Sequence, residues 1–355
     1  MNTRYLLGLF VIAACFLSGC SPVPMSYVVS DESKKSLDAA GQQKLVSALD
    51  GFFGTPDAPK ISDPVKQAIH ADEANLESGA TSYRRLCMHC HGLSGDGNGP
   101  TAKFLLPLPR DYRMGIFKFT STDPQSNPTR DDLRNTLKNG IPGTSMPSFA
   151  LYDKQEIENI IDYVILLSVR GQTERFVVGD TTDSGGEITP EAVAENASAV
   201  AVRWVGTDQK VVRPKVPRVS PDDKEAFQKS IEHGREMFLS EKAQCTKCHG
   251  KQGLGDGFMN DPNVDPKNTV DSWGNLARPA NLTLGVFRGG GRPIDLFRRI
   301  HSGVKGTPMA SQSTNYEDKD IWDLVNFMKY LPYHESSLAS AKSADVIDTL
   351  ANDEH

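Results

Sequence analysis

Apolar residues return at helical spacing in four long stretches. Leu76, Gly79, Ala80 and Tyr83 share one face, and so do Ile231, Gly234 and Phe238. Ile157, Ile160, Ile161, Val164 and Leu167 follow the same rule, as do Ile321, Leu324, Val325 and Met328. Recurrence at i, i+3, i+4 and i+7 predicts amphipathic helices. No long run alternates apolar and polar positions, so strands are not expected. Glycine and proline fill the middle of each half, which predicts loops wrapped around something large. A shorter helix is predicted from Asp38 to Leu49, with Leu45, Val46 and Leu49 on one face.

The four long helices come in two pairs because the chain repeats itself. GATSYRRLCMHCHGLSGDGNGP can be laid over GREMFLSEKAQCTKCHGKQGLGDG. PRDYRMGIFKF then matches ARPANLTLGVFRG, and LRNTLKNGIPGTSMPSF matches LFRRIHSGVKGTPMAS. Each unit closes on a helical segment, KQEIENIIDYVILLS and DKDIWDLVNFMKYLP. This is one domain duplicated, not a short-period solenoid. The units span 70–170 and 221–335. Residues 21–69 read as a tether with the short helix, and 336–355 as a polar tail. Residues 171–220 read as a linker, small and polar at first and then proline-rich and extended. Thr189, Pro190 and Glu191 can start one short helix inside it.

The chain has 355 residues, enough for two ordinary domains with tails. Its formal net charge of -6 lacks the basic surface that nucleic-acid binding requires. Residues 1–20 begin with a positive charge at Arg4 and continue as an apolar run to Leu17. That run is shorter than the roughly 20 residues a spanning helix needs, and it fits an export signal. The ending, Leu17, Ser18, Gly19 and Cys20, resembles the lipobox of bacterial lipoproteins. The resemblance implies cleavage before Cys20, acyl chains on that cysteine and stable anchoring on the periplasmic side of a bacterial membrane.

Cysteine spacing carries the chemistry. Of six cysteines, Cys15 leaves with the signal and Cys20 takes lipid. The remaining four form Cys87/Cys90 and Cys245/Cys248, each pair followed at once by His91 or His249. Two cysteines three apart at a helix start can each bond a vinyl group of one porphyrin, and the next histidine then lies under the iron. Two CxxCH motifs in matching contexts predict two covalently bound haem c groups. A zinc site would hold its CxxC pairs closer together, and a thioredoxin-like pair would need a βαβ context. Gly92, Gly95, Gly97 and Gly99 follow CxxCH rather than a strand, and Gly250, Gly253, Gly255 and Gly257 repeat them. They read as a tight turn over the haem edge. His89, between two tethered cysteines, reads as exposed.

A sixth iron ligand is sought among nine methionines. Met146 in GTSMP and Met309 in GTPMA occupy equivalent repeat positions before the closing helix, and they are the axial candidates. His301 is the rival for the second iron; Met114 and Met259 read as packing residues. Extra acidic residues in the second unit, Asp256, Asp261 and Asp265, read as a solvated loop rather than a calcium site.

Together these features resemble class I cytochrome c domains, two in tandem, over both units. The resemblance implies a mainly α fold with loop-rich segments around the haem and a crossing of the first and last helices. Gly79/Tyr83 and Gly234/Phe238 look like one side of that crossing, and Tyr163 and Phe327 like the other. It also implies that the Pro100 carbonyl accepts a hydrogen bond from the haem histidine; the second unit has no proline there. Arg110 and Arg278 stand before the GxF element and are candidates for pairing with haem propionates. The function expected is membrane-anchored electron transfer between redox complexes. A quinol-oxidising complex or dehydrogenase would donate, and an oxidase or reductase would accept. The alternatives are a two-haem peroxidase, which needs an open iron and a distal acid/base group, and the haem subunit of a larger oxidoreductase.

Overall fold

The computed structural model describes residues 25–257 and 269–337. The signal segment, Cys20, Met259, Asp261, Asp265 and residues 338–355 lie outside them. The first half holds α1 (Asp31–Ser36), α2 (Ala39–Phe53), α3 (Asp63–Ile69), α4 (Glu73–Leu86), α5 (Met88–His91), α6 (Arg130–Asn139), α7 (Lys154–Ser184) and α8 (Pro190–Ala201). The second half holds α9 (Lys224–Leu239), α10 (Cys245–His249), α11 (Pro293–Ser302) and α12 (Asp318–Ser337). Strand-like pairing among the described residues is limited to isolated bridges such as Thr122–Val211. The mainly α tandem class I cytochrome c fold is the one found.

Side-chain caps start the main helices. Asp72 accepts from the Asn75 amide, Asp153 from those of Gln155 and Glu156, and Asp223 from that of Ala226. Thr129 and Asp132 form a reciprocal capping box at α6. In each unit the first and last long helices then cross at a glycine. A Cβ at Gly79 would overlap the Asn159 carbonyl oxygen, and one at Gly234 that of Asp323. Only glycine allows backbones this close. Beside each crossing two aromatic rings meet, Tyr83 with Tyr163 at 5.2 Å and Phe238 with Phe327 at 5.4 Å.

The first unit is larger than its repeat. The pattern predicts a tether over 21–69 and a linker over 171–220, and the structure corrects both. Tyr27, Leu45, Leu49, Phe53, Val65 and Ile69 share one buried core with α4 and α7. Helix α7 runs on to Ser184, where Gly185 takes a left-handed conformation. Helix α8 returns with Thr189 as its cap and buries Val193, Ala197, Val200 and Ala201. That stripe is made mostly of small residues, so it reads as low-complexity polar chain until a neighbouring surface is present to bury it. A buried ionic cluster fastens the same layer. Glu174 accepts from the Ser30 amide at 2.8 Å and the Ser33 hydroxyl at 2.9 Å. Arg170 lies 3.6 Å from Glu174 and over the Tyr27 ring.

After α8 come two 3-10 turns, Val202–Trp204 and Thr207–Lys210; only the stretch from Val211 on is extended, and it straps the two units together. The Val212 amide donates to the Ser121 carbonyl of the first unit, at 2.9 Å. The Trp322 indole of the second unit donates to the Val216 carbonyl, also at 2.9 Å.

The units also face each other directly, through matched surfaces. Counting from each GxF element, Ile116 corresponds to Val286 and Phe119 to Gly289; in the GxxGT elements, Gly143 corresponds to Gly306. A Cβ at Gly143 would stand 3.5 Å from Val286, and one at Gly306 would stand 2.9 Å from Ile116. Phe119 lies against Gly289, its own counterpart. Reciprocal contacts of this kind arise when two copies are related by an approximate two-fold axis. Lys118–Asp271 and Lys305–Thr122 tie the same interface, at 3.4 and 3.1 Å.

Because Leu49 is fully buried, Leu49→Ala should destabilise the first unit by about 2–5 kcal/mol. Thermal denaturation followed by circular dichroism checks this; a tether residue would show no change.

Candidate functional site

The crossing helices set the two CxxCH segments. Helix α4 ends at Leu86, and Cys87 then caps the single turn of α5. In the second unit Gln244, in a left-handed conformation, opens α10 at Cys245. One helical turn puts residues i, i+3 and i+4 on one side. Both cysteines and the histidine of each motif therefore share a face. None of these four cysteines is in a disulfide. Burial pushes the Cys87 thiol up to about 12 and that of Cys245 up to about 11. A reactive redox pair needs the opposite shift.

The glycine runs fold back over these helices. The Gly97 amide donates to the His91 carbonyl at 2.9 Å, and the Gly99 amide to that of Cys90 at 3.1 Å. Gly255 and Gly257 make the same bonds to His249 and Cys248, at 2.9 and 3.1 Å. Gly97 has φ +73°, and a Cβ there would stand 2.7 Å from the Pro109 carbonyl oxygen. His89 is exposed.

Each haem-motif histidine is oriented by a backbone carbonyl. His91 Nδ1 donates to the Arg110 carbonyl at 3.1 Å, and His249 Nδ1 to that of Ala280 at 3.1 Å. A carbonyl can only accept, so Nδ1 carries the proton and Nε2 keeps its lone pair for a metal. Burial pushes His91 down to about 4 and also lowers His249, which keeps both imidazoles neutral. Pro100 is exposed and is not the acceptor, so the expectation drawn from the resemblance is corrected. The orienting carbonyl comes from the residue after Pro109 or Pro279, and both prolines stand at the same distance before GxF. Aligning those prolines, rather than the arginines, would have found it. The same register shows that Arg110 and Arg278 are not counterparts. Arg110 matches Ala280 and its guanidinium lies 3.6 Å over the Trp273 ring, whereas Arg278 is exposed.

A cavity of about 470 Å³ opens beside the first motif. Its wall brings together Cys87, Cys90, His91, Arg110 and Met146, with Leu137 and Ile161 among the apolar residues. Met146 is held by a turn in which its carbonyl accepts from the Ile141 amide at 3.1 Å and its amide donates to Thr144 Oγ1 at 3.1 Å. Met309 repeats both bonds with Val304 and Thr307, at 2.9 and 3.2 Å. His301 sits in the last turn of α11 with its ring 5.9 Å from that of Phe297. Met237 is buried in the core of the second unit. An apolar slot with two sulfurs and a neutral imidazole on one side, and a thioether on its wall, fits haem c.

Residues 74–164 match the family model for cytochrome c oxidase, cbb3-type, subunit III, and residues 231–332 match that for cytochrome c. This chain is a multi-domain c-type cytochrome. Domains of this kind hold haem c covalently, and they serve electron transfer. The cytochrome is also similar to a chain of the Kuenenia stuttgartiensis reducing HAO-like protein complex Kustc0457/Kustc0458, at 26% identity. That likeness covers 72% of this chain and 96% of the other, with a TM-score of 0.54. No curated protein matches.

Pro100→Ala should leave haem content per chain and the reduced spectrum unchanged. Gly97→Val, which drives a side chain onto Pro109, should cost the first unit its haem. Haem quantification of both purified variants checks the pair.

Proposed function

We propose that the cytochrome is a two-haem electron carrier in which both irons are six-coordinate. Cys87 and Cys90 tether one haem, with His91 and Met146 as its axial ligands; Cys245, Cys248, His249 and Met309 serve the other in the same roles. The observation that carries this reading is the placement of His91 and Met146 on the wall of one cavity. The identical hydrogen-bonded turn around Met309 extends it to the second unit. Bound haem iron supplies a one-electron couple, and a thioether ligand sets it at the high-potential end of the haem range. The protein's own part is to keep the imidazoles neutral, aim Nε2 and exclude water with apolar walls. Two protein ligands on each iron leave no site for peroxide, which argues against the peroxidase alternative.

A second reading has support of its own. The likeness to a chain of an HAO-like complex favours a role as the haem subunit of a larger oxidoreductase, with electrons delivered to or from a partner polypeptide. In either role Cys20 carries lipid and keeps the protein on the periplasmic side of a bacterial membrane. There it meets a quinol-oxidising complex or dehydrogenase as donor and an oxidase or reductase as acceptor. Among the described residues no helix is long and apolar enough to cross a membrane, so in this reading the lipid does the anchoring.

Met146→Ala and Met309→Ala should each lower the midpoint potential of one haem and abolish its methionine-ligand absorption, leaving the other haem intact. Spectroelectrochemical titration checks this; peroxide turnover by the wild-type protein would overturn the carrier reading. Cys20→Ser should shift the protein from the membrane fraction to the soluble periplasmic fraction, and retention on the membrane would remove the lipid anchor from the proposal.

A further inference from the structure

The first cavity is not built from the first unit alone. Arg288, from the second unit, lines it together with Arg110 and Lys118. Arg288 is the counterpart of Lys118, each following the phenylalanine of its GxF element. The approximate two-fold relation of the units brings this pair to one edge. Trp273 belongs to the extra residues that the second unit carries and the first lacks. Its ring lies under the Arg110 guanidinium at 3.6 Å. Its indole Nε1 is buried and has no acceptor among the described residues. Buried donors are nearly always paired, so the orphan N–H of a ring stacked on the cavity-lining Arg110 points to a missing acceptor.

The charges agree with that reading. Asp271 is the carboxylate lying against Lys118, at 3.4 Å. Asp111 is taken by Arg113, with bonds of 2.9 and 3.1 Å. Three cations against one carboxylate leave two positive charges to be matched, and the two propionates of a haem supply two negative ones.

We propose that the second unit completes the first haem site, with Arg288 and the Trp273 indole N–H joining Arg110 and Lys118 in binding the propionates of the first haem. The inference rests on haem occupying the first cavity, as proposed above. The second unit is then a positioning element for its neighbour's cofactor. Positive charge and hydrogen-bond donors at the propionates favour the reduced iron, so contact between the units raises the potential of the first haem.

The test uses full-length, haem-loaded protein carrying Arg288→Gln, Trp273→Phe or both. The readouts are the two midpoint potentials, haem content and the methionine-ligand absorption. The first haem is identified as the wave that Met146→Ala displaces. Each single variant should lower that wave and leave the other in place, the double variant should lower it further, and Arg288→Lys should restore most of the Arg288→Gln loss. Unchanged potentials with both haems and both methionine bands intact would overturn the inference while leaving the carrier reading standing. Equal shifts of both waves would also overturn it, because they would report general loosening. A Met146→Ala variant that displaces no wave would instead sink the carrier reading itself.

Discussion

The structure depends on one close approach made twice. Gly79 lets α4 touch the backbone of α7 at Asn159, and Gly234 lets α9 touch α12 at Asp323. That contact also places the segments flanking each helix. Helix α4 runs straight into Cys87, while α7 begins shortly after Met146. A crossing without side chains between the helices therefore brings the segments that carry Cys87 and Met146, distant in sequence, to one cavity. The aromatic pairs beside the crossing resist sliding, because displaced rings would lose their mutual contact and their burial.

The two copies of this arrangement have diverged in their surroundings. The first unit has gained a layer of helices, α1–α3 and α8, clamped to a lengthened α7 by the buried Arg170–Glu174 cluster. A buried ion pair of this sort is a poor source of net stability. Its effect is positional, since Glu174 bonds Ser30 and Ser33 and so fixes where the N-terminal segment lies. The second unit has gained the segment that carries Asp271 and Trp273, which reaches across to the first. One insertion enlarges a core and the other builds an interface. The approximate two-fold relation survives both because its contacts lie in the shared GxF and GxxGT elements.

Much of the site is legible in the sequence because its signals are local. The bond pattern of CxxCH sits within five residues, and the repeat marks Met146 and Met309 by position alone. The crossing glycines also stand out, since each occupies an apolar helical stripe. The histidine acceptors are less visible. Pro100 is near in sequence but turns outward, and the accepting carbonyl of Arg110 comes from beyond a loop whose path no periodicity describes. Residues 171–220 resemble a linker for a related reason. Val193, Ala197 and Val200 form a stripe only when α2, α3 and α7 are present to receive it.

The sequence by itself determined the covalent chemistry, the duplication and the helices of each copy, since all three reside in short-range spacing. Only the tertiary structure decided which carbonyl aims each histidine, that the N-terminal segment and α8 belong to the first core, and that Arg288 of one unit lines the cavity of the other. Those outcomes depend on surfaces matched across long chain separations. Their energy is a sum over many weak contacts that no local pattern encodes.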